Sequence, residues 1–91
     1  MKDLPPNVSS FNKTPEFTRA TIPKGLLRGH RTMEGTWGKI IVVEGRLRYR
    51  ILEPQVEEIE LSPGTSGIIE PAVPHEVEPI NHVRFYVEFY K

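Results

Sequence analysis

The chain has no cysteine. That removes disulfides, thiolate zinc sites and cysteine nucleophiles, so any cofactor must be held through nitrogen and oxygen ligands, which suit metals of borderline or hard character. Net charge is missing too. The 12 basic residues balance 12 acidic ones, without the basic footprint that nucleic acid or an anionic membrane demands. No apolar run approaches the ~20 residues of a membrane-spanning helix, and the N-terminal stretch "MKDLPPNVSS" lacks the apolar core of a secretory signal. We therefore expect a soluble, cytoplasmic protein with neither nucleic acid nor membrane among its partners.

Long helical patterns are also absent. Nine prolines and seven glycines are dispersed along the chain, and nowhere between them does a 3.6-residue apolar period run for three turns. Helix should be minor, with no segment longer than about two turns. Alternation with period two is clear instead. "RLRYRI" sets Leu47, Tyr49 and Ile51 against Arg46, Arg48 and Arg50, and "VRFYVEFY" sets Val83, Phe85, Val87 and Phe89 against Arg84, Tyr86, Glu88 and Tyr90. The apolar run "WGKIIVVEG" reads as a central strand that turns tightly at Glu44 and Gly45 into "RLRYRI". "EEIEL" and "SGIIE" follow as short strands around the turn "SPGTSG", while residues 14–30 read as an irregular lead-in with two edge strands. The 91 residues suffice for one small domain, which buries only roughly 60–65% of the surface its unfolded chain exposes. Short strands with Gly/Pro turns predict an all-β sandwich or barrel spanning residues 1–91.

The polar residues divide by strand phase. His75 shares a face with Val77, so an inward Val77 brings the imidazole inward, where it is either a ligand or a hydrogen-bonded core residue. Glu76 and Glu78 then face solvent. His30 lies in the polar loop "LRGHRT", and His82, in "PINHVR", sits at a turn and is read as exposed. The phase of Glu88 is compatible with solvent or with a polar lumen. Glu58 and Glu60 on the following strand can pair with the arginine stripe, at about 0.2–1 kcal/mol per cross-strand pair. Trp37, between Gly35 and Gly38, reads as a plug in the core.

The glycine and histidine spacing resembles the cupin superfamily, small double-stranded β-helix or jelly-roll barrels that present metal ligands to their interior. The second cupin motif runs from a glycine through a P-x-G turn to a histidine. Gly64 and His75 fall in register with it, Glu70 stands at the first proline, Ala72 at the turn glycine, and Pro79 at the terminal asparagine. For the first motif, Gly45 is the terminal glycine and Gly38 stands where a glutamate belongs. The paired histidine positions hold Arg31 and Met33, or Thr32 and Glu34, with His30 one or two residues early. The whole chain, from "LPPNV" and "TPEFT" through "GLLRGHRTMEGTWG" to "VRFYVEFYK", is similar to the short cupins of unassigned activity that resemble the N-terminal domain of tellurite-resistance protein B. This resemblance implies a divalent metal ion, zinc first and nickel or iron next, on His30, His75 and Glu88, with Glu34 or Glu70 as alternative third ligands. Complete tellurite-resistance proteins add an S-adenosylmethionine-dependent methyltransferase domain. This chain is expected to end before such a domain and shows no glycine-rich dinucleotide-type loop, so methyl transfer is not implied.

The function expected on these grounds is metal binding in a stress-linked binding or sensing role, with a small-molecule ligand in the open coordination positions. A metal-dependent oxygenase or isomerase acting on a small polar substrate is one alternative, and a metal-free interaction module the other. The last strand carries apolar or aromatic residues on both phases, which predicts a homodimer unless Phe11 and Phe17 of the lead-in cover Tyr86 and Tyr90.

Overall fold

The computed structural model describes residues 2–91. It is all-β and antiparallel, with one short 3₁₀ turn at Lys24–Leu27 among the described residues. Six strands form one sheet: β1 (Ser10–Lys13), β2 (Phe17–Thr18), β3 (Trp37–Ile51), β4 (Glu57–Leu61), β5 (Gly67–Ile69) and β6 (His75–Tyr90). The scaffold is the long β3–β6 pair, in register from Trp37 opposite Tyr90 to Ile51 opposite His75. Along the other side of β3 run β4, beside residues 47–51, and β5, beside residues 38–40. Along the other side of β6 run β1 and β2.

This pair must bend. The 16 residues of β6 would reach roughly 53 Å at ~3.3 Å per residue, whereas the longest dimension of the molecule is 34 Å. The bend lies where register shifts, between Val42 and Glu44 and between Gly45 and Arg46. The tight turn expected at Glu44 and Gly45 is thus corrected. The backbone stays paired with β6 on both sides of Gly45, and the glycine serves a bulge rather than a reversal. Its φ is +80°, and a Cβ there would lie 2.0 Å from the carbonyl oxygen of His82, a space only glycine can occupy.

The bulge also switches burial phase. Ile40 and Val42 point inward before it, Leu47, Tyr49 and Ile51 after it, so both halves of β3 face one core. Tyr49 Oη ties the halves together by donating to the Ile68 carbonyl of β5 at 2.8 Å. On β6 the inward residues are Val77, Val83, Phe85 and Val87, as the alternation predicted. Pro63 and Gly64 form the expected turn, with Thr65 N–H donating to the Ser62 carbonyl at 2.9 Å and Gly64 at φ +91°.

Outward, Arg46 pairs with Glu60, and Arg48 and Arg50 with Glu58, as expected. Glu76 and Glu78 of β6 join them from the other side. One expectation fails, and the alternative to a dimer is not met in full. Trp37 is half-buried and lies outside the core cluster, because it starts β3 at the rim. The lead-in does not lay both of its phenylalanines over the outer tyrosines. Phe17 packs inward on Phe85, ring centroids 5.6 Å apart, while Phe11 stays 49% exposed beside Lys91.

Candidate functional site

β6 starts immediately after the turn "EPAVP", residues 70–74, and that turn sets the state of His75. Ala72 takes a left-handed φ of +61°, and Val73 N–H donates to the Glu70 carbonyl at 3.4 Å. The Val73 carbonyl then accepts a hydrogen bond from Nδ1 of His75 at 3.0 Å. A carbonyl only accepts, so Nδ1 carries the proton and Nε2 of the neutral ring is left with its lone pair. Burial holds the imidazole pKa below its ordinary value, opposed by the Val73 hydrogen bond and reinforced by His30. The residue is 1% exposed, yet Nε2 has no hydrogen-bond partner among the described residues. Buried polar atoms are rarely left so.

His30 is brought to this residue by the backbone. Gly29, at φ +63°, turns the chain into a one-residue bridge in which His75 N–H donates to the His30 carbonyl at 2.8 Å. The two rings stand nearly perpendicular, at 87°, with centroids 5.5 Å apart. The loop is pinned to the 70–74 turn by Arg31 Nη1 on the Ala72 carbonyl at 2.9 Å and by Ala72 N–H on Thr32 Oγ1 at 3.3 Å.

Both imidazoles line a cavity of about 210 Å³. Its walls are Phe17, Leu26, Ile69, Val87 and Phe89, and exposed His30 marks its mouth. Two threonines also line it, but their hydroxyls are engaged. Thr14 Oγ1 donates to the Pro15 carbonyl and accepts from Val87 N–H, at 2.9 and 3.0 Å. Thr32 Oγ1 donates to the Thr36 carbonyl at 2.9 Å. Among the described residues no lysine, arginine, aspartate or glutamate lines the cavity.

Of the three expected metal ligands, the structure brings together His30 and His75 and leaves Glu88 out. Val87 and Phe89 line the cavity, so the alternation of β6 turns Glu88 to the opposite face. There Glu88 accepts from Ser10 Oγ at 2.7 Å and Tyr90 Oη at 3.2 Å, and the Ser10 bond leads in holding its carboxyl below the usual range. The alternatives lie elsewhere. Glu70 pairs with Lys2 at 3.5 Å, and Glu34 is exposed. Among the described residues no three His, Asp or Glu side chains gather around one point. His82 is on the surface, its Nε2 2.6 Å from Glu44. The apolar walls were not recognised as a site from sequence, although the shared phase of Val87 and Phe89 was a signal for two of them.

Comparisons with known proteins place this geometry in a family. A Haemophilus influenzae protein named "Probable S-adenosyl-L-methionine-dependent methyltransferase TehB" is 28% identical over 75 residues, covering 78% of this chain and 26% of that protein. The crystal structure of TehB from Haemophilus influenzae superposes with a TM-score of 0.83 at 27% identity, over 91% of this chain and 31% of that one. A crystal structure of an E. coli (strain K12) protein shares the fold with a TM-score of 0.90 at 20% identity, over 100% of this chain and 97% of the other. The chain thus spans about a quarter of the length of the curated relative it matches. Residues 12–87 match the TehB-like domain, and the chain belongs to that family.

Proposed function

We propose that this chain is a binding module of the cupin kind, whose cavity captures a small ligand on Nε2 of His75. The observation that carries the reading is that nitrogen, buried and fixed as an acceptor but without a partner among the described residues. An uncompensated buried polar atom costs about 1–3 kcal/mol, and a ligand would relieve that cost. The cupin likeness is supported by the bent antiparallel sheet, by His75 facing inward, and by the left-handed φ of Ala72 at the motif position held by glycine. Binding is preferred to methyl transfer because the lining offers no carboxylate or cation, and because about 210 Å³ falls below the roughly 300–1,000 Å³ of pockets for drug-sized ligands.

Metal binding is a second reading, favoured by the Nδ1 to carbonyl hydrogen bond, the arrangement that orients metal-ligating histidines. Nε2 of His75 and the ring of His30 would hold zinc, nickel or iron, which would act as a Lewis acid there. With two protein ligands, the other positions would fall to water or a small molecule. A stress-linked role in metalloid resistance would involve a neutral species, since an oxyanion meets no positive charge in this lining.

Xenon pressure tests the cavity, because dry apolar cavities take up xenon. The methyl resonances of Ile69 and Val87 should shift, and an unmoved set would end the binding reading. Zinc titration tests the metal. Binding should survive His82→Ala and be lost in His75→Ala; equal affinity in both variants would exclude the His75 ligand role. Self-association through the outer face is proposed on the exposure of Phe11, 49%, in β1, where neighbouring Ser10 pairs with Tyr90. A monomer persisting in sedimentation equilibrium at high concentration would refute it.

A further inference from the structure

The cavity has an unusual polar inventory, and that inventory specifies a ligand class. Its walls are hydrocarbon and aromatic, with the two threonine hydroxyls satisfied within the protein. What remains is the ring of His75, whose buried Nε2 is an acceptor with no partner among the described residues, and the exposed ring of His30 at the mouth. Nε2 takes a hydrogen bond and cannot give one, because Nδ1 holds the proton against the Val73 carbonyl. An anion would lose its hydration with no cation to replace it, and a cation would find no carboxylate. Size narrows the class further. A dry cavity of about 150 Å³ accommodates benzene, so 210 Å³ accommodates one ring with a substituent or a small fused pair. Phe17 and Phe89 supply ring surfaces for offset or edge-on contact.

We infer that this cavity binds an uncharged, single-ring-sized aromatic molecule carrying one O–H or N–H donor, which donates to Nε2 of His75, and that it rejects the corresponding anions. The inference rests on the binding reading above and deepens it by naming the ligand class. Gly25 controls access. It lines the cavity beside His30, and a Cβ at this position would meet only Nδ1 of His30, at an ordinary 3.8 Å. A large side chain can therefore be placed at the mouth without forcing the backbone.

The test uses phenol, toluene and benzoate as probes of the whole chain, followed by the methyl resonances of Ile69 and Val87 and the imidazole nitrogens of His75. Phenol should shift both sets of signals. Toluene, which leaves Nε2 unpaired, should bind more weakly, on the order of tenfold, and benzoate should not enter. In His75→Leu the preference should invert, with toluene bound more tightly than phenol, a change that loss of folding cannot produce. Gly25→Leu should weaken phenol and toluene alike while leaving the His75 nitrogens of the free protein unchanged. Equal or tighter binding of toluene by the parent chain, entry of benzoate, or a phenol preference that survives His75→Leu each overturns the inference. Should xenon enter while none of the three probes does, the ligand class is wrong and the cavity stands. Should xenon also be excluded, the binding reading itself fails.

Discussion

The two faces of the β3–β6 sheet treat their polar groups in opposite ways. Outward, Arg46, Arg48 and Arg50 run between two ranks of glutamate, and every one of these cations has a carboxylate within 3.3 Å. Inward, the Tyr49 hydroxyl is paired with the Ile68 carbonyl, but buried His75 has one ring nitrogen with no partner among the described residues. The outer pairs are exposed, or half-buried as in Arg50 with Glu76, and water reaches them, so losing a contact there is cheap. The inner nitrogen is buried and has no hydrogen-bond partner among the described residues, so leaving it unpaired is costly. Completed pairing therefore describes a surface that supports the sheet, whereas the unpaired Nε2 of His75 is the atom on which the proposed binding rests.

The strongest way to break this contrast is to remove the bend that makes the inner face enclosed. In Gly45→Ala, the new Cβ is directed at the His82 carbonyl, 2.0 Å away, and a left-handed alanine adds about 1–2 kcal/mol of its own. Together with the backbone shift required, the loss should be on the order of 3–4 kcal/mol, read as a lower urea midpoint. A variant as stable as the parent would show that the enclosure does not depend on this bulge.

Next in size is His75→Leu. It discards an unsatisfied nitrogen and one hydrogen bond, worth about 1–3 and about 1 kcal/mol respectively, so near neutral pH stability should hold or rise by about 1 kcal/mol. Its pH dependence is more diagnostic. The folded imidazole titrates below the ordinary 6.5, so between the two values the unfolded chain binds more protons than the folded one. The stability associated with neutral His75 is complete above pH 6.5 and is lost as pH falls toward the lower, folded value. The parent should weaken relative to the variant on acidification, with a slope approaching about 1.4 kcal/mol per pH unit. Parallel profiles would mean that His75 is not held neutral by burial.

Much of this contrast was legible in the sequence. Alternation placed Leu47, Tyr49, Ile51 and Val83, Phe85, Val87 inward, and the shared phase with Val77 placed His75 with them. The arginine stripe identified its own partners in Glu58 and Glu60. The misreadings have physical causes. Glu-Gly at 44–45 is as good a turn as a bulge, and what decides is that His82, distant in sequence, lies against Gly45. Glu88 was assigned by resemblance where its phase left the face open; the cavity walls at Val87 and Phe89 settle that it points away. Phe17 meets those walls through the pairing of β2 with β6, and Leu26 meets them from the Lys24–Leu27 turn, long-range contacts that no local pattern encodes.

A smaller effect concerns the turn that orients His75. Ala72 holds a left-handed φ of +61°, at about 1–2 kcal/mol for a residue with a Cβ. Ala72→Gly relieves that strain but adds unfolded-state entropy. We expect a net gain of about 0.5–1 kcal/mol in thermal or urea unfolding, with Nδ1 of His75 still protonated. A loss of stability would mean that the alanine methyl makes contacts worth more than the strain.

The smallest change is expected on the outer face, from Arg50→Met. Arg50 is the best connected of the stripe, donating to Glu58 and Glu78 at 2.9 Å each and also to Glu76. These bonds, Glu58 first, raise its pKa above the usual arginine value, yet its charge is not irreplaceable. Arg48 already contacts Glu78 at 2.8 Å and Glu58 at 3.3 Å, so only Glu76 loses its cation, and methionine keeps the aliphatic stem over the sheet. Exposed pairs contribute about 0.2–1 kcal/mol, and the network redistributes rather than collapses. The loss should stay below about 1 kcal/mol and shrink at high salt, where the screening length falls to about 3 Å. A loss above about 2 kcal/mol that persists at high salt would reverse the contrast, because the outer charges would then be holding the sheet together and their complete pairing would mark the more demanding face.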